Sequence, residues 1–332
     1  MNRAQARGFL FVGDPHLATR TPGFRKDDYP RTMLNKLRWC LDYASSENLV
    51  PVLLGDIFHF PRDNANWLLV ELFELCRLSR FPVLAVVGNH DCYENSLGSN
   101  DTLAVIQSAG ALHLLDAQHP WHAQINQTLV VLGGSPWNER LPDALPADLD
   151  TRFTTGDGGP RLVLWVTHHD IAFAGYEQNA RVRPREIPGL DVVINGHIHR
   201  PLPDIHTGRT TWLNPGNIAR VSRSAASRER VPAVLRLDVD HGEWATQAVP
   251  VPCEPFEDVF FEMPTAQADM APGQSVFVSG LAQLEAFKSA TGAGLRHFLD
   301  THLGAFDEPI QAEIRKLAEE VLDNDGLPNE QH

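Results

Sequence analysis

Five short segments of this 332-residue chain carry acid, amide and imidazole side chains in a fixed order. They are Asp14-Pro15-His16, Gly55-Asp56, Gly88-Asn89-His90-Asp91, His168-His169 and Gly196-His197-Ile198-His199. Where two polar residues stand at i and i+2 in extended backbone, both side chains point to the same side. Mixed carboxylate, amide and imidazole ligation suits manganese, iron or zinc, and the five segments lack the thiolates that close a structural zinc site. The set therefore predicts a pocket for two divalent metal ions.

Each segment by itself has an ordinary structural explanation. An Asp-x-His pair is common by chance, Gly-Asp after a strand usually forms a capped turn, and Gly-Asn-His-Asp also fits a hydrogen-bonded turn. Gly-His-x-His at the end of a strand more often binds metal. Because all five occur in one order, each behind an apolar run, we favour a metal site over five unrelated turns.

An apolar run typical of a buried strand precedes each segment. Helical spacing of apolar residues follows the first three runs, near residues 33–41, 65–79 and 100–109. Apolar strands that alternate with helices indicate a largely parallel sheet covered on both faces, with its sites at the carboxyl ends of the strands. We expect all five segments to meet on one rim. A second sheet is expected from strands at 128–133, 209–213, 231–239 and 243–251.

Composition limits the function classes. The chain is 43% hydrophobic and has no apolar run long enough to span a membrane. The N-terminus lacks the hydrophobic region of a signal peptide, so we expect a cytoplasmic protein. Four separated cysteines without a CxxC spacing are expected to be reduced. A formal charge of -14 argues against a general polyanion-binding surface, so any contact with nucleic acid must be local.

The character of the sequence changes near residue 255. Before this point strand and helix patterns alternate, whereas afterwards a link containing Pro and Gly leads to three helical stretches near 280–290, 292–302 and 308–323. We therefore expect a domain over residues 1–254 that carries the five segments. A smaller C-terminal domain over 255–332 is expected to bind DNA or a partner, or to cap the site.

In type and order, the five segments resemble the signature of the calcineurin-like metallophosphoesterase superfamily over residues 9–200. The resemblance implies an α/β, four-layer fold of two mixed β-sheets flanked by helices, with a small C-terminal α+β cap. Two features are similar to the SbcD-type nuclease branch of double-strand-break repair. They are His59, in Gly-Asp-Ile-Phe-His, and the segment Asn214–Arg220, which begins Asn-Pro-Gly. Residues 251–264 also look like the junction at which those nucleases begin their capping domain.

The resemblance implies a set of metal ligands. One ion would be held by Asp14, His16, Asp56 and His199, and the other by Asp56, Asn89, His168 and His197. Asp56 would bridge the two ions. A shift of one residue would make His169 the ligand in place of His168, and this alternative stays open. The implied cofactor is a pair of divalent ions, with Mn²⁺ first and Fe²⁺, Zn²⁺ and Mg²⁺ as alternatives.

The resemblance also implies catalytic roles. Two metal ions lower the pKa of a shared water, and the resulting hydroxide attacks phosphorus. His90 would stabilise the transition state and protonate the leaving oxygen, with Asp91 holding its ring through the other nitrogen. His59 would position the DNA strand. Apart from the resemblance, Arg220 and Arg223 are candidate phosphate contacts, because they belong to a basic cluster after the Asn-Pro-Gly turn.

Two further groups in the sequence are candidates for substrate contact. Arg181, Arg183 and Arg185 alternate between the fourth and fifth segments and could border the metal rim, although a solvated loop explains them equally well. Trp137 and Tyr176 could stack a base, but a structural role for each is the better-supported interpretation.

Three functions fit these observations. The preferred one is a manganese-dependent DNA exonuclease and endonuclease of repair or recombination, which acts on single-stranded DNA or duplex ends. A coiled-coil ATPase partner of the SbcC type and a homodimer would accompany it, with no membrane contact. The first alternative is a phosphodiesterase for cyclic nucleotides or other small phosphoesters. The second is a non-catalytic scaffold that keeps the fold, which the complete set of ligand types argues against.

Overall fold

A computed structural model describes residues 5–22, 25–155, 158–221, 223 and 225–261. The helical stretches expected after residue 280, and most of the expected C-terminal domain, lie outside the described residues. Within the described residues, no helix has the length and apolar character needed to cross a membrane.

The first sheet contains the strands that precede the first three polar segments. Its order is β12-β11-β1-β2-β3-β4, in which β1 to β4 are parallel and β11 and β12 are antiparallel additions beside β1. The strands are β1 (Gly8–Val12), β2 (Leu49–Leu53), β3 (Leu84–Ala85), β4 (His113–Leu114), β11 (Ala233–Asp240) and β12 (Glu243–Pro250).

The second sheet contains the strands that precede the last two polar segments. Its order is β5-β6-β7-β8-β10-β9, with β6, β7, β8 and β10 parallel and an antiparallel strand at each edge. The strands are β5 (Trp121–Ile125), β6 (Thr128–Ser135), β7 (Arg161–Thr167), β8 (Val192–Asn195), β9 (Leu202–Thr207) and β10 (Thr210–Asn214).

The α-helices of the described residues are α1 (Tyr29–Glu47), α2 (Asn66–Leu78), α3 (Thr102–Ser108), α4 (Ala147–Arg152), α5 (Ala225–Glu229) and α6 (Phe256–Val259). Helix α4 packs Leu149 into the apolar layer outside the second sheet. Helix α1 begins where the Asp28 side chain accepts a hydrogen bond from the Arg31 amide, and it ends at Asn48 in left-handed backbone. Its apolar stripe, which includes Met33 and Leu37, packs on the first sheet together with α2 and α3.

Most of the core of the described residues lies in three apolar layers, and Phe256, Val259 and Phe260 form a separate small cluster. One fills the space between the two sheets, where Phe9 and Val52 of the first sheet meet Leu164 and Ile194 of the second. The others lie between each sheet and its outer cover, and Trp165 and Trp212 anchor the cover of the second sheet. The predicted α/β fold of two mixed sheets flanked by helices is confirmed.

The predicted membership of the two sheets is wrong in part. Strands β11 and β12 were expected in the second sheet, but β11 pairs with β1 and completes the first one. The strands before His168 and His197 belong to the second sheet, beside β6 and β10. An apolar run shows that a strand is buried on both faces, but it does not show which neighbour supplies the hydrogen bonds. The polar segments therefore meet from two sheets.

Candidate metal centre

The predicted ligands lie in the loops that follow five parallel strands, three in the first sheet and two in the second. Asp14 and His16 follow β1, Asp56 follows β2, Asn89 lies in a 3₁₀ turn after β3, His168 follows β7, and His197 and His199 follow β8. The structure brings all seven together where the carboxyl ends of these strands meet.

A first group of ligand atoms comes from Asp14, His16, Asp56 and His199, all within 4.8 Å of one another. The Nε2 atoms of His16 and His199 are 3.0 Å apart, and His16 Nε2 is 3.7 Å from Asp56 Oδ2. Asp14 Oδ2 is buried and has no hydrogen-bond partner among the described residues. A buried carboxylate oxygen without a donor is costly, and a cation at this point would satisfy it.

A second group comes from Asp56, Asn89, His168 and His197. Asn89 Oδ1 lies 3.1 Å from His168 Nε2 and 2.9 Å from His197 Nδ1, and His168 Nε2 is 3.3 Å from Asp56 Oδ1. Ligand atoms at right angles around one ion, each about 2.1 Å from it, are about 3 Å apart. The spacing therefore fits a shared ion.

The protons on the two imidazoles strengthen this conclusion. His168 Nδ1 donates to the Leu54 carbonyl at 2.7 Å, and His197 Nε2 donates to the Asp170 carboxylate at 2.9 Å. In a neutral ring, the facing nitrogen then carries a lone pair rather than a proton. Two such nitrogens and the oxygen of Asn89 would repel one another unless a cation lay between them or, without a cation, His168 took up a second proton.

Asp56 stands between the two groups. Its Oδ2 faces His16 of the first group, and its Oδ1 faces His168 of the second. Oδ1 also accepts a hydrogen bond from the His90 amide at 2.8 Å, which fixes the carboxylate plane. One carboxylate with an oxygen toward each group is the arrangement that a bridging ligand requires.

The backbone at the ligands adopts a conformation that few residues favour. Four ligands have left-handed φ angles, namely 39° at Asp14, 47° at His16, 46° at Asp56 and 68° at His197. Such conformations cost about 1–3 kcal/mol each and persist where the surroundings enforce them. These strained conformations lower the stability of the fold, but they orient the four side chains toward the centre.

The glycines before two ligand segments are required by close approach. A Cβ on Gly88 would lie 2.3 Å from Asp56 Oδ1, and one on Gly196 would lie 2.0 Å from the Leu54 carbonyl oxygen and 2.8 Å from His168 Nδ1. Without side chains at these positions, the backbone of one segment can pass directly against the ligand of another.

Burial and mutual charge shift the pKa values of the ligands in opposite directions. Burial raises the pKa of Asp14, and Asp56 adds to the rise, whereas His168 opposes it. Burial also favours a raised pKa at Asp56, but the imidazoles of His168, His90 and His16 outweigh it and hold that pKa well below its usual range. Although burial lowers the pKa of His168, Asp56 and Asp14 raise it to about 9. The second group therefore holds a proton where no cation is bound, and metal binding would release it.

His168 and His169 face different partners. His168 faces Asp56, as described above, whereas His169 contacts the Thr167 hydroxyl through Nδ1 and the Glu139 carbonyl through Nε2 at 2.6 Å. Burial lowers the pKa of His169 to about 4. Of the two alternatives left open by the sequence, the structure places His168 among the ligand atoms.

His90 and His59 form an imidazole pair beside the first group. Their rings are stacked at 5.6 Å with an angle of 18°, and the His90 ring lies 5.0 Å from that of His16. His90 Nδ1 donates to the backbone carbonyl of His59 at 2.9 Å, which leaves Nε2 unengaged by this bond. Burial lowers the pKa of His59 to about 4, so this ring is neutral near pH 7.

The predicted contact between Asp91 and the His90 ring is wrong. Asp91 is fully buried, and its two oxygens accept from the backbone amides of Phe58 at 3.1 Å and Gly88 at 2.9 Å. The Nδ1 of the His90 imidazole is instead bound to the His59 carbonyl. Asp91 therefore acts on the shape of the loop that carries Asn89 and His90.

Asp170 is a functional residue that the sequence reasoning missed. Its Oδ1 accepts from His197 Nε2 at 2.9 Å and from the Tyr176 hydroxyl at 3.0 Å. A carboxylate behind a metal-binding imidazole fixes the ring orientation and tautomer. The available signal was an acidic residue directly after the His168-His169 pair.

The prediction that Arg220 contacts a phosphate is wrong. It is 7% exposed, and its guanidinium donates to the carbonyls of Glu254 at 3.0 Å and Arg230 at 2.7 Å. Arg223 is partly buried, and its buried Nε has no hydrogen-bond partner within the described residues, so its proposed role stays a prediction.

The Asn-Pro-Gly segment supports the loop that carries His199. Asn214 Nδ2 donates to the carbonyls of Ile198 at 2.9 Å and Arg200 at 2.8 Å, and the Asn217 amide donates to the His199 carbonyl at 3.1 Å. Lys36 holds the same segment from α1, through the Ile218 carbonyl at 2.9 Å. A structural requirement therefore accounts for this segment.

Comparison with known proteins identifies the family. A family model described as calcineurin-like phosphoesterase matches residues 8–201, more than half of the chain, and the chain belongs to this family. The superfamily predicted from the five segments is thus confirmed. Membership in this family, together with the two ligand groups, supports the conclusion that the protein is a metal-dependent phosphoesterase with a dinuclear centre.

The solved structures that match this chain are distant in sequence. A conserved uncharacterized protein, a predicted phosphoesterase, from Streptococcus pneumoniae is 12% identical, with a TM-score of 0.31, over 74% of this chain and 90% of that one. A 5'-nucleotidase precursor from Thermus thermophilus is 14% identical, with a TM-score of 0.43, over 75% of this chain and 55% of that one. A search of curated proteins gave no match.

Proposed function

We propose that this phosphoesterase is a two-metal phosphodiesterase that cleaves DNA. The observation that carries the two-metal part is the Asp56 carboxylate, with one oxygen toward each ligand group. The observation that supports a strand-cleaving enzyme is the His59 and His90 pair, because it provides a second imidazole beside the general-acid candidate. Manganese is the proposed metal, on the mixed oxygen and nitrogen ligands.

Different residues of the centre would bind the metal ions, donate the proton and position the DNA strand. Asp14, His16, Asp56 and His199 would hold one ion, and Asp56, Asn89, His168 and His197 the other. When bound, two such ions polarise the phosphate and lower the pKa of a water. The His59 carbonyl keeps the proton of His90 on Nδ1. Protonated His90 can therefore give the proton on Nε2 to the leaving oxygen. The neutral ring of His59 then positions the strand.

We also propose a family branch, a cellular role, partners and a role for the C-terminal residues. The chain would belong to the SbcD-type branch and act as exonuclease and endonuclease in DNA repair or recombination, in the cytoplasm. It would work as a homodimer with a coiled-coil ATPase of the SbcC type. Residues 255–332 would form the smaller domain that controls access of DNA. Support comes from His59, because the structural role of the Asn-Pro-Gly segment already accounts for that segment.

A second candidate is a phosphodiesterase for cyclic nucleotides or other small phosphoesters. Two observations favour it over a nuclease. Arg220 is committed to backbone carbonyls, which removes a proposed contact to the DNA backbone. The charge of -14 also disfavours a long polyanion more than a single phosphate group.

The test is a matched hydrolysis assay on metal-free protein reloaded with Mn²⁺, Mg²⁺, Fe²⁺ or Zn²⁺. Substrates are end-labelled single-stranded and duplex DNA, circular single-stranded DNA, 2',3'-cyclic and 3',5'-cyclic nucleotides, and bis(p-nitrophenyl) phosphate. Variants are His90→Ala and His59→Ala, with His122→Ala as the control, since His122 is an exposed histidine on β5.

The outcomes separate the candidates. The nuclease proposal expects DNA cleavage with Mn²⁺, loss on all substrates in His90→Ala, and a loss confined to DNA in His59→Ala. Hydrolysis of small diesters with DNA untouched would replace it by the second candidate. If no phosphoester were hydrolysed with any metal, both would fail and the scaffold interpretation would stand.

A further inference from the structure

A cleft beside the second ligand group is not used by the chemistry described above. Its volume is about 490 Å³, within the range of about 300–1,000 Å³ typical of small-molecule sites. The loop at residues 137–143 and the segment at 181–185 form its sides, and His169 and Asp170 line it next to the metal centre. A group bonded to a phosphate at the centre could therefore reach it.

Trp137 is an aromatic side chain that lines this cleft, and its ring lies beside imidazoles of the metal centre. Its ring lies 5.1 Å from the ring of His197, and 6.3 Å from those of His168 and His169. Its backbone amide donates to the Val87 carbonyl at 2.9 Å, just before the Asn89 turn. Trp137 is only partly buried, so part of the ring remains open to a ligand. A rigid, partly exposed indole is a favourable stacking surface for a base.

The charges of the cleft suit an anion next to that ring. Among the described residues it is lined by four arginines and three acids, in a chain whose overall charge is -14. Two of the three carboxylates are already paired, Asp143 with Arg185 at 2.8 Å and Asp170 with His197 at 2.9 Å. The Arg181 guanidinium lies 6.0 Å from the centre of the Trp137 ring, and its Nε is 3.5 Å from Asp170. The exposed Arg183 lies two residues further along.

We propose that this cleft is the binding site for the nucleoside and adjoining phosphate of the substrate, with the base stacked on Trp137 and the phosphate bound by Arg181 and Arg183. The inference rests on the proposed phosphodiesterase function, since it places the cleft next to the scissile phosphate. It assigns a nucleotide substrate rather than a phosphodiester without a base. It also makes Trp137 and Arg183 determinants of specificity.

Binding is tested first without turnover. Fluorescein-labelled oligothymidylate is titrated with metal-free protein in EDTA, and anisotropy gives the dissociation constant. Variants are Trp137→Ala, Trp137→Phe and Arg183→Ala. The control is Trp67→Ala, because Trp67 is another partly exposed tryptophan with an arginine over its ring, on α2. Trp137→Phe keeps an aromatic ring, and Arg183→Ala alters an exposed side chain, so these two variants decide the outcome if Trp137→Ala does not fold.

The expected result follows from the energetics of stacking one base. Trp137→Ala should weaken binding by about 5- to 150-fold, Trp137→Phe by less, and Trp67→Ala by less than about twofold. An oligonucleotide of abasic residues should bind wild type weakly and show no difference between wild type and Trp137→Ala. Arg183→Ala should reduce the dependence of affinity on salt.

The same variants are then assayed with Mn²⁺ on a dinucleotide and on dimethyl phosphate. The inference expects a higher KM on the dinucleotide in Trp137→Ala and no change on the substrate without a base. Wild-type affinity and KM in both Trp137→Ala and Arg183→Ala would overturn the inference. If Trp137→Ala does not fold, wild-type values in both Trp137→Phe and Arg183→Ala would overturn it. Hydrolysis of the dinucleotide by wild type would leave the phosphodiesterase function standing in either case. Failure of wild type to hydrolyse any phosphodiester would overturn the proposed function, and the anisotropy titration would still decide whether the cleft binds a nucleotide.

Discussion

Asp170 is expected to control how tightly the second ligand group holds its metal ion. Its Oδ1 accepts from His197 Nε2 at 2.9 Å, so it fixes the ring whose Nδ1 faces Asn89. Although partial burial acts in the opposite direction, the hydrogen bond and charge of His197 hold the pKa of Asp170 below its usual value. The carboxylate is therefore ionised at neutral pH and makes a charge-assisted hydrogen bond.

The expected size of the effect follows from that bond. A hydrogen bond to a charged group contributes about 1.5–3 kcal/mol, and a neutral one about 0.5–1.5 kcal/mol. Asp170→Asn keeps an acceptor but loses the charge, so it should cost about 1–1.5 kcal/mol, or about 5- to 12-fold in affinity. Asp170→Ala loses the whole bond and should cost about 12- to 140-fold. Tyr176→Phe removes only the second donor and should cost less than about fivefold.

The assay is calorimetric titration of metal-free protein with Mn²⁺, fitted to two sites. Only one of the two sites should weaken, because Asp170 contacts His197 and none of the first group. Asp143→Asn is the control, since that carboxylate is exposed and pairs with Arg185 in the same cleft. Wild-type affinities for two ions in Asp170→Ala, or equal weakening of both sites, would contradict this role of Asp170.

Three further substitutions test residues that hold the loops of the metal centre in place. Asp91→Ala leaves the amides of Phe58 and Gly88 without acceptors and should lower the free energy of unfolding in urea by about 2–4 kcal/mol; an unchanged midpoint would contradict this. Gly196→Ala should abolish stoichiometric Mn²⁺ binding, measured by elemental analysis, because its Cβ would lie 2.0 Å from a carbonyl oxygen; full occupancy would show that the loop can move. Burial lowers the pKa of Lys36 from 10.5 to about 8, so between these values the unfolded chain holds more protons than the folded one. The free energy of unfolding of wild type should therefore rise relative to Lys36→Met from pH 8 to 10.5, by up to about 3 kcal/mol, and parallel curves would exclude the shift.

The parts of the centre that the sequence predicts share one property, which is that local spacing determines them. An apolar strand followed by a polar segment places that segment at a carboxyl end, whichever sheet the strand joins. For this reason all seven ligands meet, although the strands before His168 and His197 belong to a different sheet from the one expected. The site survives an error in topology because both sheets present the same edge to it.

Contacts between a side chain and the backbone escaped prediction for a different reason. Every residue has a carbonyl and almost every residue an amide, so sequence does not show which of them a side chain will meet. Asp91 contacts two amides rather than His90, and Arg220 contacts two carbonyls rather than a phosphate. Asp170 was visible in sequence, but only the structure shows that the free nitrogen of His197 faces it.

The centre also explains why the ligands are held so firmly in a form that is unfavourable without metal. Four left-handed ligand backbones and an Asp14 oxygen without a partner among the described residues cost free energy in the metal-free protein. The three apolar layers can sustain this cost because the ligand loops extend from strands that are buried on both faces. A cation recovers part of it on binding, since it stabilises only the folded arrangement. The stability of the two sheets therefore holds the ligands in a strained arrangement, and this arrangement is the one that the proposed metal ions would bind.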